Sequence, residues 1–540
     1  MEFIRLILFQ IFFKLIFCII PFKCGADSIK IKPHKIDEIL NKRSLSDEDF
    51  RPLKIYLDYT YLKRQNKLKS EDLKTLMRLF DEINNYLSSL LSIIHFNSKI
   101  IKNDISYYCK INVYSDDILD YFNTYDIVIF PSINEELDEY ILAQASACII
   151  LSRNSQPIAG IIEINRNFSL SKLDSEYYMK YILIHEISHV LGFGITFFED
   201  LGFLYTERKN GLTKDYLNST KVIEKAKMHF NCNNIKGVEL ENFGGSGSAL
   251  SHWEARYMLG DYMISTNYQE IAISDITLAY FEDTGIYKVN YYTGGLFRYG
   301  KNRGCSFLEQ DCIYDDGEKT KFPNEFCTIP GEYVCGSSHI SRGDCYIVKY
   351  YDLLDNRFTY YPDKYVGGFG PSDYCPISYR FYDENIDDLE KDYYYPFNCK
   401  YGVNIYEKIG EAIGEYSACF ESSLVPQNLN IFLNFNYSIC YEIKCNREKK
   451  EIIISIGDKT ITCPKYETIL TNPNGFTGKL KCPDYNMVCT SEIWCNELFD
   501  CIDKKSLSDL DTYTYNQNKA YFLGLNKLEN IFKIILFFFL

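Results

Sequence analysis

The spacing of apolar and polar residues predicts a mixture of helices and strands over the first two hundred residues. The segment 51–61 begins with apolar side chains at 53, 55 and 57 that alternate with more polar ones at 54, 56 and 58, as in a half-buried strand. Residues 70–95 repeat apolar side chains every three or four positions, which predicts a long amphipathic helix. Turn-forming residues such as Asn154 and Gly160 bound the apolar runs that follow, and we predict buried strands at 127–130, 149–151 and 161–164. The predicted fold class is α+β with a mixed sheet.

A second, strongly apolar helix is predicted over 177–193, where Gly192 and Gly194 end the pattern. A looser region follows and ends in a glycine-rich stretch at 244–248. From Cys305 onward, short strand-like pieces are interrupted by cysteine, glycine and proline. We therefore expect a disulfide-rich, mostly β or irregular C-terminal domain after the α+β part.

The two ends of the chain carry apolar segments. Residues 1–26 combine an early cation, an apolar run and a small-residue exit at Ala26, which is the pattern of a secretory signal peptide. Lys14 interrupts the run, so a retained membrane anchor is the alternative. The apolar stretch 531–540 is too short to span a bilayer as a helix. Either it is a signal for a C-terminal lipid anchor, which would attach the protein to a membrane, or it is an ordinary tail.

Cysteine usage indicates the same compartment. Of the 20 cysteines, two lie within the first 26 residues and 18 remain, most of them after residue 300. An even number in a secreted chain predicts about nine disulfides. Zinc binding by thiolates is the weaker alternative, because no Cys-x2-Cys pair occurs. Three sequons would be glycosylation acceptors in this compartment, at Asn167, Asn218 and Asn436.

The net charge of −15 argues against a nucleic-acid partner, since a phosphate backbone requires a basic face.

The motif that carries chemistry is His185-Glu186-Ile187-Ser188-His189, which lies within the second predicted helix. Residues four apart share one helix face, so both imidazoles can reach a single metal ion. Imidazole nitrogens suit Zn²⁺, and a catalytic zinc site keeps one position for water. Glu186 can take a proton from that water, as the general base of a hydrolase.

A third protein ligand is required, and the sequence leaves two histidines open. In the extended motif HExxHxxGxxH, Gly192 would turn the chain so that a histidine meets the metal, but that position here is Ile195. The remaining candidates are His252, in Ser-His-Trp-Glu, and His229, in Lys-Met-His-Phe.

At these residues the chain resembles the leishmanolysin family, zinc metalloproteases of the metzincin type in which a long insertion delays the third histidine. The family presents that histidine in a Ser-His-Trp-Glu context, as at His252, and follows it with a methionine turn, as at Met263. The segments Ala226–Cys232, Gly237–Glu241 and Ile276–Tyr287 are also similar to the family. The resemblance runs from about Arg51 through the cysteine-rich part and is sharpest over 181–312.

The resemblance implies a metzincin-like catalytic domain with one catalytic Zn²⁺ held by His185, His189 and His252. It implies that Glu186 is catalytic and that Met263 forms the floor of the site. The expected activity is hydrolysis of peptide bonds in protein or peptide substrates, by a secreted enzyme or one on the extracellular face of the plasma membrane, with a link to cell adhesion. The alternative is a catalytically silent surface adhesin on the same scaffold.

One departure from the family concerns latency. Members commonly carry a pro-segment cysteine on the zinc, yet residues 27–50 contain none, and Cys24 would leave with the signal peptide. A thiolate latch is therefore not expected. The predicted organisation is a signal peptide, a polar leader, an N-terminal catalytic subdomain, an insertion with the third histidine and methionine turn, a cysteine-rich domain and a tail, at 1–26, 27–50, 51–200, 201–300, 301–505 and 506–540.

Overall fold

The computed structural model describes residue 24, residues 31–37 and residues 49–489 apart from short gaps. The gaps are 98–99, 115–116, 139–140, 167–172, 210, 243–247, 267, 292–296, 380–397, 401–403, 405–406, 415, 430–436 and 447.

The part of the chain before residue 300 is α+β, as predicted. Its strands are β1 (His34–Ile36), β2 (Phe50–Pro52), β3 (Ile55–Leu57), β4 (Leu91–Ile94), β5 (Ile127–Asn134), β6 (Ala143–Leu151), β7 (Pro157–Asn165), β8 (Leu204–Lys209), β9 (Leu212–Leu217), β10 (Val238–Glu239) and β11 (Tyr287–Val289). Its helices are α1 (Thr60–Gln65), α2 (Ser70–Leu90), α3 (Lys102–Tyr108), α4 (Ile118–Thr124), α5 (Leu173–Val190), α6 (Ile195–Asp200), α7 (Thr220–Phe230), α8 (Ala255–Met258) and α9 (Asp275–Asp283).

A five-stranded mixed sheet forms the base of this part, in the order β1-β6-β7-β5-β3. The β6–β7 pair is antiparallel, and the other three pairs are parallel. The strands predicted near residues 55, 127, 149 and 161 are all present. Gly160 does not bound a strand, however. It lies inside β7, where a Cβ atom would come within 2.2 Å of Val190 Cγ1. The glycine is needed because α5 packs closely on the sheet at this point.

The long helix predicted over 70–95 is α2, but it ends at Leu90. Residues 91–94 instead form β4, which pairs with β2 and β11. Their burial alternates, with Leu91 and Ile93 buried. The apolar pattern therefore continues past the end of the helix, but with the period of two that is typical of a strand. β-Branched residues such as Ile93 also favour a strand.

Helix α5 is the second predicted apolar helix, and it lies between α2 and the sheet. A window within Met179–Asp200 is apolar enough to cross a bilayer, yet 83% of it is buried inside the fold. Its composition therefore reflects a core position. The chain then forms a β8–β9 hairpin and α7, and β10 pairs with β9. This insertion returns toward the core of the molecule through an antiparallel bridge between Leu240 and Trp253.

The cysteine-rich part is mostly β and irregular, as predicted. Its helices are α10 (Cys305–Glu309) and α11 (Tyr485–Cys489), and its strands are β12 (Tyr333–Cys335), β13 (Arg342–Cys345), β14 (Val348–Lys349), β15 (Val366–Gly367), β16 (Ser378–Tyr379), β17 (Ser417–Ser422), β18 (Val425–Pro426), β19 (Tyr437–Asn446), β20 (Glu451–Ile456), β21 (Lys459–Cys463), β22 (Thr468–Thr471), β23 (Phe476–Thr477) and β24 (Lys479–Cys482). A six-stranded sheet, in the order β21-β20-β19-β17-β24-β22, has a core of its own. Many buried side chains between Phe297 and Ile377, among them Phe307, Phe322 and Phe369, belong instead to the core of the preceding part.

Eight disulfides join the described cysteines: Cys109–Cys148, Cys232–Cys305, Cys312–Cys375, Cys327–Cys345, Cys335–Cys419, Cys399–Cys440, Cys445–Cys489 and Cys463–Cys482. The last two cysteines, Cys495 and Cys501, lie outside the described residues, so a ninth bridge stays a prediction. This many disulfides indicates an oxidising, extracellular compartment.

Candidate metal centre

Two of the three clustered histidines come from the last turns of α5. His185 and His189 are four residues apart and share the buried face of the helix, which brings their Nε2 atoms to 3.0 Å. The helix ends at Val190, and Gly192 then adopts a φ of +112°, which favours glycine. The helix therefore begins four residues before the predicted start at 177 and ends three residues before the predicted end at 193, with Gly192 in the turn that follows it.

His252 completes the cluster. Its Nε2 atom lies 3.2 Å from the Nε2 atoms of both His185 and His189, and its side chain is fully buried. Ser251 Oγ accepts a hydrogen bond from the Ile195 backbone N–H at 3.1 Å. The chain just after the helix is thus attached to the residue before the third histidine.

His229, the competing candidate, lies elsewhere. Its Nε2 atom is 2.8 Å from the Tyr299 carbonyl oxygen, and its ring stacks on Phe297. His252 is therefore the histidine that the fold brings to the other two.

The outer nitrogens of all three imidazoles are held by backbone carbonyls. The Nδ1 atoms of His185, His189 and His252 lie 2.6, 2.6 and 2.8 Å from the carbonyl oxygens of Tyr262, Phe193 and Ser248. A carbonyl only accepts hydrogen bonds, so each Nδ1 carries the proton. Each Nε2 is then unprotonated, and its lone pair points into the cluster. A histidine that binds a metal through Nε2 requires this tautomer, with the proton on Nδ1.

Burial also keeps these rings neutral. Desolvation lowers the pKa of His185 to about 4 and that of His252 to about 3. The pKa of His189 is lowered as well, chiefly by desolvation. Neutral imidazole is the form that binds a metal ion.

The residues present fit a single metal ion. Tetrahedral nitrogen ligands at about 2.0–2.1 Å lie about 3.3–3.4 Å apart, close to the separations of 3.0–3.2 Å found here. Glu186 Oε2 is buried beside them and has no hydrogen-bond partner among the residues that the structure describes. Desolvation raises the pKa of Glu186 to about 8. A buried carboxyl oxygen without a partner next to three converging lone pairs is the arrangement expected for a metal ion with an adjacent water.

Cys24 also lies at this site, contrary to expectation. Its Sγ atom is 3.4 Å from Glu186 Oε1 and 3.5 Å from His189 Nε2. Its backbone N–H donates to the Ser265 carbonyl at 3.3 Å. The signal-peptide pattern predicts that Cys24 leaves with residues 1–26 and that no thiol lies near the metal, whereas the fold holds this thiol within reach of the three imidazoles.

The segment around Met263 supports the cluster. The Met263 side chain is fully buried, and its carbonyl accepts a hydrogen bond at 3.0 Å from the backbone N–H of Trp253, the residue after His252. Its neighbour Tyr262 provides the carbonyl for His185, and the Tyr262 hydroxyl lies 3.0 Å from Ser188 Oγ. This turn therefore braces both α5 and the third-histidine segment.

Asp261, which sequence reasoning missed, holds this turn in place. Its carboxylate accepts hydrogen bonds from the Met263 N–H at 2.8 Å, the Ser274 N–H at 3.2 Å and the Thr277 hydroxyl at 2.8 Å. Thr277 Oγ1 in turn accepts from Trp253 Nε1 at 2.7 Å. The only local sequence signal for this role is that Asp261 directly follows Gly260. Glycine and aspartate are both typical of turns.

A small cleft beside the cluster has mainly apolar walls. Its cavity volume is about 40 Å³, and His185, Glu186 and Cys24 line one side. Apolar side chains form much of the rest: Leu142, Ala143, Tyr181, Ile182, Ile264 and Ile271.

Of the predicted glycosylation acceptors, Asn218 is half-buried, next to the N-terminus of α7. Asn167 and Asn436 lie outside the described residues. Glycosylation of all three stays a prediction.

A mixed sheet under an HExxH helix, with a third histidine delivered by an insertion, defines a metallopeptidase-type fold and site. Comparison with known proteins agrees: residues 101–495 match the model of the leishmanolysin family, peptidase family M8. The chain is 30% identical over 369 residues to a leishmanolysin homolog of Crithidia fasciculata, covering 65% of this chain and 53% of that protein. It is 26% identical over 383 residues to leishmanolysin of Leishmania donovani, covering 69% and 62% respectively. A leishmanolysin-like peptidase of Drosophila melanogaster is 27% identical over 297 residues, or 44% of each chain.

This chain belongs to the leishmanolysin family. It spans about half to three-fifths of the length of the curated trypanosomatid relatives described above. Within it, His185, His189 and His252 form a cluster that is consistent with one metal ion.

Proposed function

We propose that this protein is a secreted or cell-surface zinc endopeptidase that hydrolyses peptide bonds in proteins. The observation that carries the proposal is the convergence of three Nε2 lone pairs within 3.2 Å of one another, beside Glu186 Oε2, which has no hydrogen-bond partner among the described residues. Zinc is inferred from the family and from the all-imidazole donor set, which suits it.

Glu186 is the proposed general base. When bound, zinc would act as a Lewis acid and lower the pKa of a bound water. The Glu186 carboxylate is close enough to the cluster to accept a proton from a water there. It would later return that proton to the leaving amine.

The substrate is proposed to bind along the edge of β6 nearest the cleft. Among the described residues, β1 pairs only with positions 149–151 of β6, and the outer edge of 143–147 has no strand partner. Ala143 also lines the cleft beside His185. An extended peptide can add to such an edge through its backbone, which suits cleavage of unfolded segments.

Cys24 is proposed to keep the enzyme latent. A thiol 3.5 Å from His189 Nε2 occupies the space in which a catalytic water would otherwise stand. A thiolate is also a good zinc ligand. If so, signal removal takes place before Cys24, and release of Cys24 is the activating event.

The rival function is a surface adhesin on a silent protease scaffold. Both hypotheses share the extracellular location. Retention of Glu186 together with all three histidines favours the enzyme, because an adhesin has no use for a buried base. A lipid anchor at 531–540 lies outside the described residues and stays a prediction.

The test uses the full secreted chain, before and after treatment with an organomercurial thiol reagent, alongside Glu186→Gln and Cys24→Ala. We expect one zinc per chain in every form. Cleavage of an unfolded protein should require the reagent in the unmodified chain, should be constitutive in Cys24→Ala, and should fall by at least about 10³-fold in Glu186→Gln. Full cleavage by Glu186→Gln would exclude the proposed base, and zinc without cleavage in any form would favour the adhesin.

A further inference from the structure

Behind the third histidine, three buried carboxylates from separate parts of the chain come together. Glu239 lies on β10, Glu254 follows His252 by two residues, and Asp373 belongs to the cysteine-rich part. One carboxylate oxygen from each lies within 4.8 Å of the others. The three residues are 5%, 0% and 7% exposed. Acidic residues this well buried require compensation.

A second observation indicates that the compensation within the protein is incomplete. Glu254 Oε1 accepts a hydrogen bond from the Arg256 N–H at 2.9 Å, but Glu254 Oε2 has no hydrogen-bond partner within the described protein. A fully buried carboxylate oxygen normally has a partner, which is a protein donor, an ordered water or a cation.

The charge balance around the cluster is negative. Lys214 Nζ lies 2.5 Å from Glu239 Oε1 and 4.0 Å from Asp373 Oδ2. Arg256 is close enough to interact electrostatically with the cluster. Three carboxylates facing two cations leave a formal charge of −1, which the two protein cations do not neutralise.

We propose that Glu239, Glu254 and Asp373 form a Ca²⁺ site. Three carboxylates are hard oxygen ligands, which favour Ca²⁺ over a transition metal. Mg²⁺ usually retains several waters and uses one or two carboxylates, so three protein carboxylates favour the larger ion. A cavity of about 150 Å³ reaches Glu239 and Asp373 from outside, which gives the ion an entry path and room for its remaining waters.

Such an ion would join the insertion, the third-histidine segment and the cysteine-rich part. The Glu254 N–H already donates to the Glu239 carbonyl at 3.0 Å, and the Glu241 N–H donates to the His252 carbonyl at 2.9 Å. The ion would therefore stiffen the strand pairing that delivers His252. Ca²⁺ at the millimolar concentrations found outside cells suits the weak affinity of extracellular modules, about 10⁻⁴–10⁻³ M.

The probe is Tb³⁺, which binds at Ca²⁺ sites and emits when a nearby tyrosine is excited. Tyr216, Tyr257 and Tyr360 line the same cavity. In the full chain with zinc kept saturating, we expect sensitised Tb³⁺ emission that millimolar Ca²⁺ displaces and equal Mg²⁺ does not. Ca²⁺ should also raise Tm by about 1 °C at tenfold excess over its Kd.

The diagnostic variant is Asp373→Asn. Asp373 has a φ of +54°, a conformation that asparagine tolerates well, so the backbone should be retained. We expect at least a tenfold loss of Tb³⁺ and Ca²⁺ affinity, and the same loss in Glu239→Gln. The matched control is Asp363→Asn, an exposed carboxylate of the same region that is paired with Lys349, and it should bind as the unmodified chain does.

Two results would overturn the site. The first is the absence of Ca²⁺-displaceable Tb³⁺ emission from the unmodified chain, which would mean that Lys214 and Arg256 are the only counter-charges. The second is unchanged affinity in a folded Asp373→Asn protein. Because neither readout uses peptide cleavage, failure of this proposal and failure of the proposed peptidase activity are distinguishable.

Discussion

Replacing Asp261 with alanine should destabilise the protein and weaken its metal site, because this carboxylate organises the turn that carries Met263. Asp261 is 1% exposed and accepts three hydrogen bonds, from two backbone N–H groups and the Thr277 hydroxyl. Each buried donor left without a partner costs about 1–3 kcal/mol. Partial relaxation brings the expected loss to about 3–5 kcal/mol, which is large for a single substitution.

The effect should reach the metal through Tyr262, whose carbonyl fixes the Nδ1 proton of His185. Loss of a partner that orients a ligand typically lowers metal affinity by about 10–100-fold. The assays are thermal unfolding of zinc-free protein and zinc competition against a chelator. At about 1 °C per kcal/mol for a chain of this length, Tm should fall by about 3–5 °C. Asp363→Ala, which removes an exposed carboxylate, is the control and should change Tm by no more than about 1 °C. A folded Asp261→Ala protein with unaltered Tm and zinc affinity would show that Asp261 does not organise this turn.

Three further predictions concern packing, cross-linking and pH. Gly160→Ala places a Cβ within 2.2 Å of Val190 Cγ1 and should cost about 1–3 kcal/mol by overpacking, seen as a lower Tm; an unchanged Tm would mean that the helix is free to shift. Replacing both Cys232 and Cys305 with serine removes a bridge across 73 residues and should cost about 2–5 kcal/mol in the same assay, whereas equal stability would show that the insertion is held by packing alone. Desolvation lowers the pKa of His229 in the folded protein to about 4, below its usual value. The contribution of neutral His229 to the free energy of unfolding is therefore complete above about pH 6.5 and is lost as pH falls toward 4. Between about pH 6.5 and 4, the free energy of unfolding should therefore fall less in His229→Gln than in the unmodified protein, by up to about 3 kcal/mol. An equal fall in both proteins would count against this prediction.

Local sequence patterns predicted much of the fold and two of the three clustered histidines. His185, Glu186 and His189 lie on one helix, so their convergence follows from a spacing of four residues. The helix itself and the core strands followed from apolar periodicity. The end of α2 was misplaced because Leu91–Ile94 are as apolar as the helix before them and differ only in period.

Long-range contacts account for what the residues alone did not predict. Residues 190–251 separate His189 from His252, and only the resemblance to leishmanolysins selected His252 over His229. Cys24 was assigned to a departing signal because its position at the metal centre depends on how the leader packs. The cluster of Glu239, Glu254 and Asp373 draws on three distant segments, and no local spacing marks it.

In the proposed latent enzyme, three imidazoles hold one zinc ion and Cys24 is its displaceable fourth ligand. X-ray absorption at the zinc edge of the purified latent chain measures this ligand set. We expect three nitrogen scatterers at about 2.0–2.1 Å and one sulfur at about 2.3 Å, with the sulfur replaced by oxygen in Cys24→Ala and the three nitrogens retained. A shell with two or more sulfurs, or one that is unchanged in His252→Ala, would contradict it.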